Sequence, residues 1–89
     1  NHSVAFITLK PGKASKQHYH KVSSESYLIL KGIGSLEIDG NQFDLNPGEA
    51  VLIQPLEVHK IINNSPEELV FLAVCVPAWY PQDSFQTEK

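Results

Sequence analysis

Residues 12 to 32 read GKASKQHYHKVSSESYLILKG, and this stretch decides the fold that the sequence predicts. It carries His18 and His20 two positions apart, and Glu25 follows His20 by five positions. Side chains two positions apart on a β-strand point to the same face, so we expect both imidazoles on one face. Ser26–Lys31 then forms an apolar run that is typical of a strand. The stretch therefore predicts a short histidine-bearing strand, a polar link, and a second strand that begins near Glu25.

The rest of the chain continues this pattern of short strands and turns. Turn residues recur every eight to twelve positions, and no window of eleven or more residues carries a helical stripe. Asp39-Gly40 between two alternating runs predicts a tight hairpin. Eight strands with no helix to cover them must close up to protect their edges, which predicts an all-β barrel. The predicted strands are Val4–Leu9, His18–His20, Ser26–Lys31, Ser35–Asp39, Asn41–Leu45, Ala50–Gln54, Val58–Asn63 and Glu68–Val76.

Length and composition limit the class of protein. The 89 residues suffice for one domain, and a hydrophobic share of 42% with 19% charged residues is globular. Seven Lys+Arg against ten Asp+Glu argue against nucleic acid or an anionic membrane as partner. The longest apolar run, Leu69–Val76, is too short to span a bilayer. The single cysteine, Cys75, excludes an internal disulfide and favours a cytoplasmic location; we expect it to be buried.

So short a chain needs support beyond its own core, from a metal or a partner subunit. Val4–Leu9 and Leu69–Val76 supply more apolar strand than one small sheet requires. We therefore expect a homodimer, formed by sheet packing or by exchange of the N-terminal strand within residues 1–10. Residues 78–89 are predicted to form an ordered strap that ends in a loose tail, Asp83–Lys89.

The histidines are expected to carry the chemistry. His59 lies on another apolar run, so His18, His20, Glu25 and His59 can converge inside a barrel. Three imidazoles with one carboxylate suit one divalent Mn, Fe, Co, Ni, Cu or Zn ion per chain, with two coordination positions left for water or substrate. The alternative at this point is that His18 and His20 form a surface pair on a loop.

The spacing of these residues resembles the two sequence motifs of the cupin superfamily. The first, G-x5-H-x-H-x3,4-E-x6-G, is met at every defined position by Gly12, His18, His20, Glu25 and Gly32. The second, G-x5-P-x-G-x2-H-x3-N, is met in part by Gly48, His59 and Asn63. Gln54 stands where the second motif has proline, and Leu56 stands where it has glycine.

The resemblance implies a double-stranded β-helix, or jelly-roll barrel, over residues 1–89. It also implies a metal held by His18, His20, Glu25 and His59. An empty barrel that keeps these four residues as a hydrogen-bonded polar core is the alternative. Leu56 enters left-handed backbone space less readily than glycine, so we expect the turn before His59 to be built differently from that of the family.

Two functions stay open. The first is a metal-dependent enzyme acting on a small organic molecule, an oxygenase or isomerase as the resemblance implies. The second is a non-catalytic module that binds a sugar-like ligand in the same barrel. Tyr27, which shares parity with Glu25, and Glu57, just before His59, are the candidate catalytic residues. A DNA-binding regulator is disfavoured because no helix-turn-helix segment is present.

Overall fold

The computed structural model describes residues 1–87, and it is built almost entirely of strands. The eight predicted strands are confirmed, with ends shifted by at most two residues, and a ninth follows a short 3₁₀ helix at Pro81–Asp83. The strands are β1 (Ser3–Leu9), β2 (His18–Tyr19), β3 (Ser24–Lys31), β4 (Gly34–Ile38), β5 (Asn41–Leu45), β6 (Ala50–Ile53), β7 (His59–Ile62), β8 (Leu69–Val76) and β9 (Phe85–Gln86).

The strands form two antiparallel sheets that face each other. The four-stranded sheet has the order β1-β8-β3-β6, and the five-stranded sheet has the order β5-β4-β7-β2-β9. Together they make the predicted jelly-roll barrel, with alternate side chains pointing inward. Among residues 1–87, no helix is long and apolar enough to cross a membrane.

The two ends of the barrel interior differ in their side chains. At one end, large apolar side chains fill the space between the sheets. We call this the packed end, and its members, each at most 1% exposed, are Ile29, Leu36, Ile61, Leu69 and Phe71. Two to four residues further along the same strands, Glu25 and His59 occupy inward positions. We call this second region the open end.

Two turns show why particular residues are needed. At the predicted hairpin between β4 and β5, Asp39 and Gly40 both have positive φ, 49° and 85°, which confirms that prediction. Gly32 has a φ of 79°, and a Cβ atom there would lie 2.5 Å from the Glu68 carbonyl oxygen. Gly32 is therefore required by close backbone approach as well as by its conformation.

The loose tail predicted for Asp83–Lys89 is wrong for residues 83–87. Asp83 is only 2% exposed, and Phe85 and Gln86 pair with Tyr19 and His18 of β2. The Phe85 ring stacks on Tyr19 with centroids 5.2 Å apart. These long-range contacts order the segment, although its own sequence carries no strand pattern. Residues 88 and 89 lie outside the described part of the chain.

The turn before His59 also differs from the prediction. Leu56 does adopt the left-handed conformation, with a φ of 74°, so the turn keeps the glycine-like backbone without glycine. Its side chain is 63% exposed, and its N–H donates a hydrogen bond to the His20 carbonyl. The exposed side chain meets no obstacle, so the turn tolerates a conformation that costs about 1–2 kcal/mol.

Candidate metal centre

Three elements bring the predicted ligands to the open end. His18 lies on β2, His20 follows that strand, Glu25 lies on β3 and His59 begins β7. His18 and His59 are direct cross-strand partners, which places their rings side by side with centroids 4.2 Å apart. Glu25 reaches them from the opposite sheet.

The four side chains converge on one point. One ligand atom from each residue can be chosen so that all four lie within 4.8 Å of one another. His20, Glu25 and His59 are buried, and His18 is half-buried. Two atoms bound to one ion at about 2.1 Å can be separated by at most about 4.2 Å. The cluster thus needs to contract by only about half an ångström to hold a divalent metal.

Backbone carbonyls orient all three imidazoles. The Nδ1 atoms of His18, His20 and His59 lie 2.7, 2.8 and 3.0 Å from carbonyl oxygens of residues 16, 83 and 57. A carbonyl oxygen can only accept, so each Nδ1 must carry the donated hydrogen. The neutral form of each ring therefore presents an Nε2 lone pair for coordination, which is the arrangement that metal-ligating histidines commonly have.

The Nε2 atoms face the Glu25 carboxylate at short range. His59 Nε2 lies 3.0 Å from Glu25 Oε1, and His20 Nε2 lies 3.3 Å from the same oxygen. The His20 contact is close enough for charge attraction but lacks hydrogen-bond geometry, so among the described residues this buried nitrogen has no hydrogen-bond partner. Two lone-pair atoms at 3 Å repel each other unless positive charge lies between them. The residues present therefore fit a metal cation, with an added proton as its substitute.

The cluster shifts the pKa values of its members in different directions. Burial lowers the pKa of His18. The Glu25 carboxylate raises the pKa of His20, against the opposing effect of burial. Burial alone would raise the pKa of Glu25, but the His20 and His59 imidazoles outweigh it and hold that pKa well below its usual range. Glu25 is thus ionised at neutral pH, as a metal ligand must be.

Asp83 supports the site, and the sequence analysis missed it. Its carboxylate accepts hydrogen bonds from the backbone N–H groups of Lys21, Val22 and Ser23, at 2.8 to 3.3 Å. Its carbonyl oxygen is the acceptor for His20 Nδ1. Burial would raise the pKa of Asp83, but these three N–H donors lower it. One residue thus fixes both the ring of His20 and the loop that links β2 to β3.

The two candidate catalytic residues occupy different surroundings. Tyr27 is 3% exposed, and its ring centroid lies 6.1 Å from that of His59. Burial raises the pKa of Tyr27 well above its usual value. The Glu57 carboxylate accepts a hydrogen bond from the Gln54 N–H at 2.7 Å, within the turn, while its carbonyl faces His59 Nδ1. Glu57 thus contacts the site through its backbone.

Cys75 adjoins the cluster from β8. It is 3% exposed, as predicted, and its Sγ lies 3.4 Å from Glu25 Oε2. Burial raises the pKa of the Cys75 thiol to about 12, so it is a neutral group and a weak hydrogen-bond donor at physiological pH.

A cavity of about 340 Å³ lies beside Glu25, against the inner face of the paired strands β1 and β8. It exists because four neighbouring inward positions carry small side chains, in the cross-strand pairs Ser3 with Cys75 and Ala5 with Ala73. The remaining lining residues are Val4, Ile7 and Trp79.

The chain belongs to the cupin family, because the cupin domain matches residues 5–75. Among its relatives, the glucose-6-phosphate isomerase of Pyrococcus abyssi is 33% identical over 95 residues, which covers 92% of this chain and 48% of the isomerase. The chain therefore spans about half the length of that relative. This assignment confirms the resemblance that the two sequence motifs indicated.

Solved structures show the same fold. A protein of Klebsiella pneumoniae with a double-stranded β-helix domain superposes with a TM-score of 0.87 at 22% identity, over 99% of this chain and 76% of that one. A predicted oxalate decarboxylase of Thermotoga maritima gives 0.78 at 32% identity, over 81% and 63%. The first of these proteins is named for its fold and the second for a reaction, so the shared barrel alone does not select one reaction for this chain.

Proposed function

We propose that the chain is a metal-dependent enzyme domain that binds one divalent transition metal through His18, His20, Glu25 and His59. The observation that supports this proposal most strongly is the common anchoring of three Nδ1–H groups on backbone carbonyls. It turns three Nε2 lone pairs and one ionised carboxylate toward a single point. A cluster meant only as a hydrogen-bonded core would not need every imidazole held in this tautomer.

The proposed reaction is an isomerisation or an oxygenation of a small organic molecule. When bound, such a metal supplies Lewis-acid or redox chemistry at coordination positions that the protein leaves open. One similar protein is named glucose-6-phosphate isomerase, which supports an isomerisation, and another is named a predicted oxalate decarboxylase, which shows that a similar barrel is associated with a different reaction of a small organic molecule. In this proposal the protein holds the substrate in the cavity beside Glu25.

Tyr27 and Glu57 take different parts in this proposal. The raised pKa of Tyr27 keeps its hydroxyl protonated at neutral pH, so it would act as a hydrogen-bond or proton donor and not as a base. Glu57 would act as a positioning residue, because its carbonyl holds His59 Nδ1 while its carboxylate closes the turn.

A non-catalytic ligand-binding module is the second candidate, and one observation favours it. Around the cluster, the described groups that are candidates for a base are engaged or neutral: the Glu57 carboxylate accepts a hydrogen bond within its turn, and burial raises the pKa values of Tyr27 and Cys75. Such a barrel can hold a ligand without transforming it.

Metal analysis of the chain purified without chelator tests both candidates. We expect one equivalent of a divalent transition metal, which is lost in His59→Ala and kept in the matched control His2→Ala, since His2 is exposed and outside the cluster. Iron or manganese with ligand-dependent oxygen uptake, or turnover of an aldose-ketose pair, would support an enzyme. Stabilisation by a ligand without turnover would support the binding module. Absence of metal in the parent chain would contradict the metal-dependent enzyme and would leave the binding module as the better candidate.

The proposal includes a homodimer and a cytoplasmic location, the latter resting on the single reduced cysteine.

The outer face of the four-stranded sheet supports the dimer. Two cross-strand rows there are almost wholly apolar and uncharged: Val4, Val74, Ser26 and Leu52, and Phe6, Leu72, Leu28 and Ala50. Phe6 is 68% exposed, and an uncharged apolar face is best covered by a copy of itself. Phe6→Glu is expected to convert the dimer to a monomer in light scattering, and a monomeric parent chain would contradict it.

A further inference from the structure

The cavity beside Glu25 has walls that indicate what kind of molecule it can hold. We propose that it takes a compact organic acid or carbonyl compound with an apolar body, and that it does not take a phosphorylated sugar. This inference rests on the proposed metal site and names its substrate class. The decisive observation is the chemistry of the lining residues.

The cavity wall contains a single charged group. Glu25 supplies the one carboxylate of the lining, and the other lining residues carry no carboxylate, ammonium, guanidinium or imidazole group: Ser3, Val4, Ala5, Ile7, Ala73, Cys75 and Trp79. The chain contains no arginine, and no lysine of residues 1–87 belongs to this lining. A phosphate dianion in the cavity would thus meet a carboxylate and no lysine or arginine side chain, where protein phosphate sites supply such cations or clustered backbone N–H groups.

The net charge of the loaded site favours a monoanionic or neutral oxygen ligand instead. Three neutral imidazoles and one carboxylate leave a divalent ion with a single net positive charge. One carboxylate or enolate oxygen neutralises that charge, and further negative charge has no described side chain to pair with. The head of the ligand is thereby limited to one negative charge.

The body of the ligand is limited by the β1 and β8 side of the cavity. Ala5, Ile7 and Ala73 present methyl and methylene groups, and Trp79 stands at the rim with 48% of its surface exposed. The backbone N–H of Trp79 donates a hydrogen bond to Ser3 Oγ at 2.8 Å, so one of the few polar groups in the wall already has a partner. A sugar ring would leave several hydroxyls without partners here, at a cost of about 1–3 kcal/mol for each buried one. A branched aliphatic body loses nothing.

Ala5 is the residue that sets the size of the cavity. It points inward from β1 yet remains exposed, because nothing fills the space in front of it. A larger side chain at this position can extend into the cavity without displacing a packed neighbour. Thr8 on the same strand is exposed on the outer face and serves as the matched control.

Titration calorimetry on the metal-loaded chain tests the inference with three probes. They are 4-methyl-2-oxopentanoate, which has an apolar tail; 2-oxoglutarate, which has the same head and a charged tail; and glucose 6-phosphate. We expect the first to bind at least tenfold more tightly than either of the others. Ala5→Leu should weaken its binding at least fivefold, Ala5→Val by less, and Thr8→Leu not at all. Metal affinity should stay within twofold in every variant.

Several results would overturn the inference. The inference is wrong if glucose 6-phosphate binds as tightly as 4-methyl-2-oxopentanoate or more tightly, or if none of the three probes binds. It is also wrong if Ala5→Leu leaves the binding of 4-methyl-2-oxopentanoate unchanged. A change of oligomeric state in Ala5→Leu would also contradict the inference, because it would show that the cavity is covered by another polypeptide segment and not by a small ligand. If the parent chain does not take up metal, the proposed function is contradicted instead. The metal titration that precedes the probe titrations detects that outcome separately. Circular dichroism of Ala5→Leu and Ala5→Val distinguishes a loss of binding from a loss of folding.

Discussion

The packed end and the open end of the barrel lie on the same strands but serve opposite purposes. On β7, Ile61 fills the packed end and His59, two residues earlier, faces the cluster; on β3, Ile29 and Glu25 divide in the same way. The packed end buries apolar surface, which stabilises the fold. The open end buries a carboxylate and three imidazoles beside a cavity, which costs stability unless positive charge enters. The comparison shows that inward positions only two to four residues apart on one strand can serve different purposes, one stabilising the fold and the other forming the site.

Truncation at the packed end should have the largest effect on stability. Phe71 is 1% exposed and contacts Tyr27 with ring centroids 5.0 Å apart. Phe71→Ala is expected to lower the free energy of unfolding by about 3–5 kcal/mol, because it removes buried contacts and leaves a cavity. Urea denaturation of the metal-free chain measures this. Val22→Ala, at a 52% exposed position outside the proposed dimer face, is the control, and an equal loss there would contradict the contrast between core and surface.

Asp83 tests how the open end is held in place. Asp83→Asn removes the charge that three backbone N–H groups share, so we expect a loss of about 1–3 kcal/mol in unfolding free energy. The backbone carbonyl of Asp83 orients His20, and the Asp83 side chain holds that carbonyl in place through its own hydrogen bonds. Metal affinity should therefore also fall by about tenfold. Calorimetric metal titration measures the second effect. Asp44→Asn, whose carboxylate binds Ser35 on the five-stranded sheet, should leave metal affinity unchanged. A purely structural Asp83 would change stability alone.

The open end should respond to pH in opposite directions with and without metal. The Glu25 carboxylate raises the pKa of His20, so their ion pair stabilises the metal-free chain fully below about pH 6.5. That contribution is lost as pH rises through the raised pKa of His20. Metal needs neutral imidazoles, so its stabilisation grows over the same range.

The gap in Tm between metal-loaded and metal-free chain should therefore widen from pH 5.5 to pH 8. Differential scanning calorimetry at both values measures it. A gap in Tm that stays constant or narrows would show that metal does not compete with protons for the histidines.

Leu56 should give the smallest effect. Replacing it by glycine relieves the cost of the left-handed conformation, about 1–2 kcal/mol, but adds freedom to the unfolded chain, about 0.4–1 kcal/mol. Leu56→Gly is thus expected to raise the unfolding free energy by about 0–1.6 kcal/mol, with metal affinity unchanged. Leu56→Ala, which keeps a Cβ atom, should gain nothing. Destabilisation by glycine would mean that the Leu56 side chain contributes more than its exposure indicates.

The strands and the candidate ligands could be predicted from the sequence because their signals are local. Strand alternation and turn residues gave the eight strands, and the offsets from Gly12 to Gly32 placed His18, His20 and Glu25 on one side. His59 could be included because it stands on an apolar strand. The predicted burial of Cys75 is likewise confirmed.

What the sequence did not predict depends on contacts between distant residues. Asp83 meets its three N–H donors about 60 positions earlier in the chain, and the Phe85 strand forms only against β2. The left-handed Leu56 is held by a hydrogen bond to the His20 carbonyl, which no local rule anticipates. The cavity arises from four small residues on two paired strands. Pairing register must be known before such a space can be seen.

Anomalous diffraction from crystals of the chain purified without chelator tests the central claim most directly. Data collected at the absorption edges of the candidate transition metals should show one peak per chain, about 2.0–2.2 Å from the Nε2 atoms of His18, His20 and His59 and from a Glu25 carboxylate oxygen. A peak bound elsewhere, or a fully formed cluster with no peak after addition of metal, would contradict the account.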